Sequence, residues 1–435
     1  MAHKIQGMNT QLKALASVLC LVLLCGLVSC QSADENWTHF RGSRLDGIAD
    51  VKSAPVSWAA DSNIVWKTAI HGKGWSSPVV LGEQVWISTA TDDGKEMYAL
   101  CLDYKTGAIL RDILVFTPDT IYRKHAVNSY ATPTPAIERG KVYLHYGRFG
   151  TACINTGDGS IVWTRTDLEC QHVQGPGSSP VLYKDLLILH MEGSDVQYLV
   201  ALDKASGETI WKVKRPAEPY EPLAWIGKKA YTTPLILEVN GKDQLISNGS
   251  AVCIAYEPET GKEIWRVVGG AESTVAMPVY EDGLVFIYTG YEVDEEGKFA
   301  NLLAVNPDGA GNITESHVAW KLRTKQLHNQ MLTPVIREGL IHTVNTDGQQ
   351  QCIDAKSGEV LWTRRVKGKY NASPIYADGK LYFCSTRGKV MVFKHGPEYE
   401  LLAENSLEGE IWTTPAILRD QILIRTSKFL YLIGD

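Results

Sequence analysis

The chain has 435 residues, with 43 Lys and Arg against 49 Asp and Glu for a formal net charge of −6. Its 44% hydrophobic and 21% charged content belongs to a folding chain rather than a disordered one. No basic block grips phosphates, which disfavours a nucleic-acid partner, and generous Gly, Trp and Tyr favour strands and tight turns.

Residues 1–29 carry Lys4 and Lys13, no acidic residue, and an apolar run over residues 14–28. A basic start before a short apolar run reads as a secretory signal, too short for a comfortable membrane span. It ends in Leu27-Val28-Ser29-Cys30, which resembles the lipobox of bacterial lipoproteins. That resemblance implies cleavage before Cys30, lipidation of Cys30 and a membrane contact through the lipid. A plain signal peptide with an incidental Cys, or an uncleaved anchor, is the other reading. Gln31 rather than Asp after the Cys is expected to send the protein to the outer membrane, facing the periplasm. The expected organisation is a lipoprotein signal over 1–29, a tether carrying a Trp37, Phe40, Arg41, Gly42 segment over 30–57, and one repeat domain over 58–435.

A small or hydroxyl residue precedes Pro at Pro78, Pro135, Pro180, Pro234, Pro278, Pro334, Pro374 and Pro415, each time ahead of an apolar strand. The spacings of 57, 45, 54, 44, 56, 40 and 41 residues, with several short strands per unit, predict an all-β, eight-bladed β-propeller of four-stranded antiparallel blades. Between the third and fourth strands a second pattern recurs: Ala201, Asp203, Gly207, Trp211; Ala255, Glu257, Gly261, Trp265; Cys352, Asp354, Gly358, Trp362. Cys153 to Trp163 is a degenerate copy, and the copy from Cys101 has Arg111 in place of Trp. The acid accepts backbone N–H bonds in the turn, the Gly takes the positive φ, and the Trp wedges between blades opposite a small residue. The eighth unit has room for three strands only, and residues 63–68 form a strand with no blade before it. That strand is expected to close the ring, which removes open sheet edges.

These residues resemble the A-x-D-x-x-T-G-x-x-x-W repeat of PQQ-like β-propeller proteins, a family that includes quinoprotein alcohol dehydrogenases and BamB-like assembly lipoproteins. The Trp37 to Gly42 segment is similar to the W-x-x-F-R-G opener of exported members. For the dehydrogenases the resemblance implies pyrroloquinoline quinone, Ca²⁺, a carboxylate base, a disulfide between adjacent cysteines and often a C-x-x-C-H haem segment. The chain has neither cysteine motif. Cys101, Cys153, Cys170, Cys253, Cys352 and Cys384 remain after the signal; buried thiols in place of Ala are expected, with disulfides the alternative.

The loops before each Pro meet near the axis on one face, so the candidate binding residues are Lys73, Trp75, Arg123, His125, His172, Trp225, Lys229, Glu272, His328, Asn329, Lys369, Tyr370, Arg387 and Trp412. Cations outnumber acids there, which predicts a locally positive face suited to an anionic or polar partner. No metal site is expected, since His125, His172 and His328 lie on different blades. The reading is a non-catalytic, monomeric binding or assembly scaffold for an envelope protein or glycan, without cofactor. The alternative is a PQQ-dependent alcohol or sugar dehydrogenase using the quinone and Ca²⁺ at the axial face.

Overall fold

The computed structural model describes residues 35–434 except 60–61, 271–273, 291, 296 and 326–330. Eight antiparallel blades follow one another in chain order. Blade 1 is Val79–Leu81, Gln84–Ala90, Met97–Asp103 and Ile109–Phe116. Blade 2 is Ala136–Glu138, Lys141–His145, Thr151–Asn155 and Ile161–Arg165. Blades 3, 4, 5, 6 and 7 begin at Val181, Leu235, Val279, Val335 and Ile375. Blade 8 takes Ala416–Leu418, Gln421–Arg425 and Phe429–Ile433 from the C-terminus, and Ile64–Ala69 pairs antiparallel with the last of these as its outer strand. The expected closure is therefore present. Blade 5 adds a hairpin, Glu292–Asp294 with Gly297–Val305, and lends Gly311–Asn312 to the outer edge of blade 4 at Trp265 and Arg266.

The repeat explains how each blade holds the next. Asp203 Oδ1 accepts from the Ala205 and Ser206 amides and the Ser206 hydroxyl, and Asp103 and Asp354 do the same in their turns. These bonds favour the charged form and hold all three carboxyls below the ordinary Asp value. Gly207 follows at φ 75°, where a Cβ would strike the Trp163 ring of the preceding blade at 2.7 Å. Gly261 meets Trp211 in the same way. Each indole N–H then donates to the carbonyl one residue past the turn acid: Trp66 to Tyr104, Trp163 to Lys204, Trp211 to Pro258 and Trp320 to Ala355, at 2.8–3.1 Å. Opposite each Trp stands the small residue, Ala201 facing Trp211 and Cys153 facing Trp163, beside a shift of register. All six cysteines of the described residues are buried and unpaired, and three of them, Cys101, Cys153 and Cys352, are thiols in Ala positions.

Four blades depart from the pattern; in blade 7 the outer strand Leu401–Ser406 has Ala403 at the Trp position. In blade 1, where Arg111 stands, Trp86 donates to Gln84, and the Gln84 amide reaches the Thr156 carbonyl of blade 2 at 3.0 Å. In blade 4 the same relay runs from Trp265 through Gln244 to the Pro307 carbonyl. Trp362 is only partly buried, packs edge-on against Tyr399 and finds no acceptor for its N–H.

The hydroxyls before each Pro have two separate tasks. The first of the pair donates to the second strand of its own blade: Ser76 to the Ser88 carbonyl, Thr232 to Asn248, Thr413 to Arg425. The second faces the axis and accepts an amide from the preceding blade. Ser77 N donates to Thr134 Oγ1, Thr134 N to Ser179 Oγ, Ser179 N to Thr233 Oγ1, Met277 N to Thr333 Oγ1, Thr333 N to Ser373 Oγ and Ser373 N to Thr414 Oγ1, all at 3.0–3.1 Å. This hydrogen-bonded ring lacks a hydroxyl at Met277, and among the described residues no blade 8 amide reaches Ser77 Oγ of blade 1. At that seam the buried Arg425 guanidinium donates to Ser76 and Ser88 instead, and Trp412 stacks on Trp75 at 5.2 Å and 14°.

The N-terminal segment seals the far end of the axis. Trp37 exchanges two backbone bonds with Val80 of blade 1, the Thr38 carbonyl accepts from Ile137 of blade 2, and Ile48–Ala49 pairs in parallel with the first strand of blade 7. Arg41 is buried without a carboxylate partner and donates to the carbonyls of Asp46, Thr333, Pro334 and Pro374. Burial pulls its pKa down to about 9, so it stays charged at neutral pH.

Trp211→Ala should cost about 3–5 kcal/mol in urea unfolding, the range for a buried aromatic truncation. Trp362→Ala should cost less than half as much, because that ring is only partly buried and its indole has no hydrogen bond to lose among the described residues.

Candidate functional site

The ring of hydroxyls forms the waist of an axial cavity of about 470 Å³. Phe40, at the tip of the N-terminal segment, lies in its wall, so the cavity has a floor at the sealed end. Its mouth is built from the loops that lead into the first strands. Trp75 and Trp412 form one wall; their indole N–H groups are taken by the Val127 carbonyl and Glu410. Val127, Ile226 and Met331 line the opening and are 41%, 39% and 38% exposed; Trp225, beside Ile226, is 61% exposed. Together they form an apolar rim.

Of the residues singled out in the sequence, Trp75, His125, Lys229 and Trp412 line the cavity. Trp225 stands at its rim on the short 3₁₀ turn Trp225–Lys228. Lys229 is buried, and its ammonium donates to the Ile226 carbonyl. Lys73 lies over the Trp75 ring at 5.3 Å, and Lys369 pairs with Asp347. Arg123 and Arg387 are exposed outside the lining. The structure therefore does not gather the expected cations at the axis: among the described ones, Lys229 alone lines it, because Lys73 turns onto an indole, Lys369 onto an acid, and Arg123 and Arg387 to solvent. Tyr370 is fully buried and donates to the Lys367 carbonyl, a packing role. His172 is buried beside Cys170, 3.4 Å from its thiol. Cys30, Glu272, His328 and Asn329 lie outside the described residues.

Sequence reading missed the more informative lining. Thr134, Ser179, Thr233, Thr333, Ser373 and Thr414 are part of the motif that sets the blade count, yet nothing in that motif says which hydroxyl turns to the axis. Tyr231 also lines the cavity, buried, with no partner for its hydroxyl, and Ser77 Oγ is likewise buried and unpartnered.

No described lining residue is a carboxylate, and no group of three or more His, Cys, Asp or Glu among the described residues is placed to hold a metal. Calcium asks for six to eight oxygen ligands, normally including carboxylates. The described donor set does not fit a quinone–calcium centre, and no catalytic step is derived through one.

A cluster of buried imidazoles flanks the cavity on blades 2 and 3. Burial, above all, lowers His145 to about 3 and His172 to about 4; each is lowered further by its neighbouring histidine. His39 is lowered to about 4 and His342 to about 3, again mainly by burial. His39 Nε2 accepts the Leu182 amide, which requires the neutral ring. These groups are neutral when folded and take a proton near 6.5 when unfolded, so the unfolded state binds more protons below 6.5. Their contribution is complete above pH 6.5 and is lost as pH falls toward 4. Urea midpoints should therefore drop between pH 7 and 5, above the range where carboxylates titrate. His145→Gln should flatten that slope by about one proton, or ~1.4 kcal/mol per pH unit.

Comparison with known proteins agrees with the geometry. The family described as outer membrane protein assembly factor BamB matches residues 114–219, 195–311 and 304–396. Tetrathionate hydrolase of Acidithiobacillus ferrooxidans is 21% identical over 392 residues, covering 81% of this chain and 73% of that protein. Outer membrane protein assembly factor BamB of Yersinia pestis is 20% identical over 225 residues, 42% of this chain and 56% of that protein. The chain thus spans little more than half of the Yersinia protein. BamB from Moraxella catarrhalis superposes with a TM-score of 0.60 at 12% identity, over 85% of this chain and 99% of that one. A europium-containing methanol dehydrogenase superposes at 0.56 and 11% identity, over 93% and 92%. At such identities the superpositions show the fold, and function has to come from the site.

Proposed function

Since the chain belongs to the family of the outer membrane protein assembly factor BamB, we propose that it is a non-catalytic binding scaffold of the cell envelope, acting in outer-membrane protein assembly. The observation that carries this reading is the mouth of the cavity. Four large apolar side chains stand exposed around one opening, with no described carboxylate behind them to serve as a base. A clustered exposed apolar rim on an otherwise polar surface is the mark of a contact surface.

Cys30 lipidation supplies the attachment. The Glu35 carbonyl accepts from Arg419, in the turn at the sealed end of blade 8. Five residues separate it from Cys30, a reach of about 17 Å at full extension. A lipid on Cys30 holds the sealed face toward the membrane and turns the mouth toward the periplasm. Cys30→Ser should leave an unlipidated, larger precursor that partitions away from membranes; unchanged mass and partitioning would refute the anchor.

Deleting the gene in its host should lower the heat-modifiable, folded fraction of outer-membrane β-barrel proteins, and Trp225→Glu with Ile226→Glu should fail to restore it while folding normally by circular dichroism. Undiminished barrel assembly, with dye-linked alcohol oxidation on adding the quinone and Ca²⁺ or with hydrolysis of tetrathionate, would overturn the scaffold reading in favour of an enzyme.

A further inference from the structure

We propose that the axial cavity receives the oxyanion head of a small amphipathic molecule, a carboxylate or similar acceptor-only group carried on an apolar body. The proposal rests on the reading of this face as a binding face, and is independent of which envelope protein the scaffold serves.

A hydroxyl has one proton to give and two lone pairs to accept with. Each of the six ring hydroxyls uses a lone pair on the backbone amide of the preceding blade. None of them donates to an acceptor among the described residues, and all six line the cavity. Their protons are left over by the same bonds that join the blades. Ser77 Oγ and the Tyr231 hydroxyl, both buried in the same wall, likewise donate to no acceptor among the described residues. Eight hydroxyl donors thus surround one axis. A buried donor left unmatched costs about 1–3 kcal/mol, so the wall favours any occupant that brings acceptors and no donors of its own.

The rest of the lining fixes the body of the ligand. No described lining residue is a carboxylate that would repel an anion. The Trp75 and Trp412 rings have both N–H groups occupied, so they offer apolar surface rather than hydrogen bonds. Val127, Ile226 and Met331 continue that surface to the opening. A molecule entering head first would place its acceptor group at the hydroxyl waist and its chain along the indoles. Phe40 at the sealed end limits it to a single direction of entry.

Three probes of equal chain length separate the alternatives: octanoate, 1-octanol and octylammonium, titrated into the purified protein by calorimetry and by Trp fluorescence. Octanoate should bind at least about tenfold more tightly than the other two, the difference expected for one extra charge-assisted hydrogen bond. The double variant Ser77→Ala, Tyr231→Phe should weaken octanoate at least about fivefold. Its urea midpoint should stay the same or rise, because neither hydroxyl donates to an acceptor among the described residues. Equal binding of all three probes would show a bare apolar pocket, and no octanoate binding in the millimolar range would show a cavity that serves water only. Either result, or a double variant that binds octanoate like the parent, overturns the proposal. A protein that supports barrel assembly yet ignores octanoate would retire this proposal alone and leave the scaffold standing.

Discussion

Blades 2, 3, 5 and 8 each lend an indole to the turn of the next, and the rest of the molecule depends on that contact. A four-stranded blade has two faces to bury and no core of its own, so its stability is set by what it shares with its neighbours. The Trp ring lies flat on a glycine that no side chain could replace, and its N–H ends on a carbonyl that would otherwise be buried without a partner. The acid of the same turn holds that carbonyl in place through three local bonds. Where Trp is lost at Arg111, a Gln relay restores the reach to the same carbonyl position. The reach to the next turn is thus preserved in blades 1 and 4, while blade 7, with Ala403 at that position, goes without the indole.

A ring made of such contacts must also close, and closure calls for different chemistry. Blade 8 meets blade 1 across residues that are hundreds apart in sequence. There the hydroxyl ring is open among the described residues, and a buried guanidinium and a stacked indole pair take over. The outer strand from the N-terminus completes the last sheet, and the segment before it folds under the axis and is fixed by Arg41 through four carbonyls. Neither Arg41 nor Arg425 forms an ion pair with a carboxylate among the described residues; backbone carbonyls solvate both, with the Ser76 hydroxyl on Arg425. That arrangement keeps formal negative charge out of the described lining of the axis.

The same economy shapes the cavity. A serine or threonine that accepts an amide to hold two blades together also lines the lumen and keeps its own proton unused by that bond. The binding character of the axis follows from how the ring is assembled, with few residues dedicated to it. It also accounts for a fold whose relatives are named as an assembly factor, a hydrolase and a dehydrogenase: the scaffold supplies a lined cavity, and chemistry depends on what a given chain adds.

The sequence by itself determined the number of blades, the strand that completes the ring, and the Asp, Gly and Trp that couple blade to blade. All of these are contacts within one repeat or between adjacent repeats, so they recur at fixed spacing and can be counted. It also showed that Cys101, Cys153 and Cys352 stand in Ala positions, and the structure finds them buried and unpaired. Only the tertiary structure decided what reaches the axis. Of the loop cations, Lys73 lies over Trp75 and Lys369 pairs with Asp347, while Tyr370 turns inward to pack. Arg41 bonds to a carbonyl 333 residues away, and no periodicity encodes such a partner. The two hydroxyls before each proline read alike in sequence, but the backbone turns one into its own blade and the other to the lumen. That choice is made by the closed ring, whose geometry exists only when all eight blades are in place.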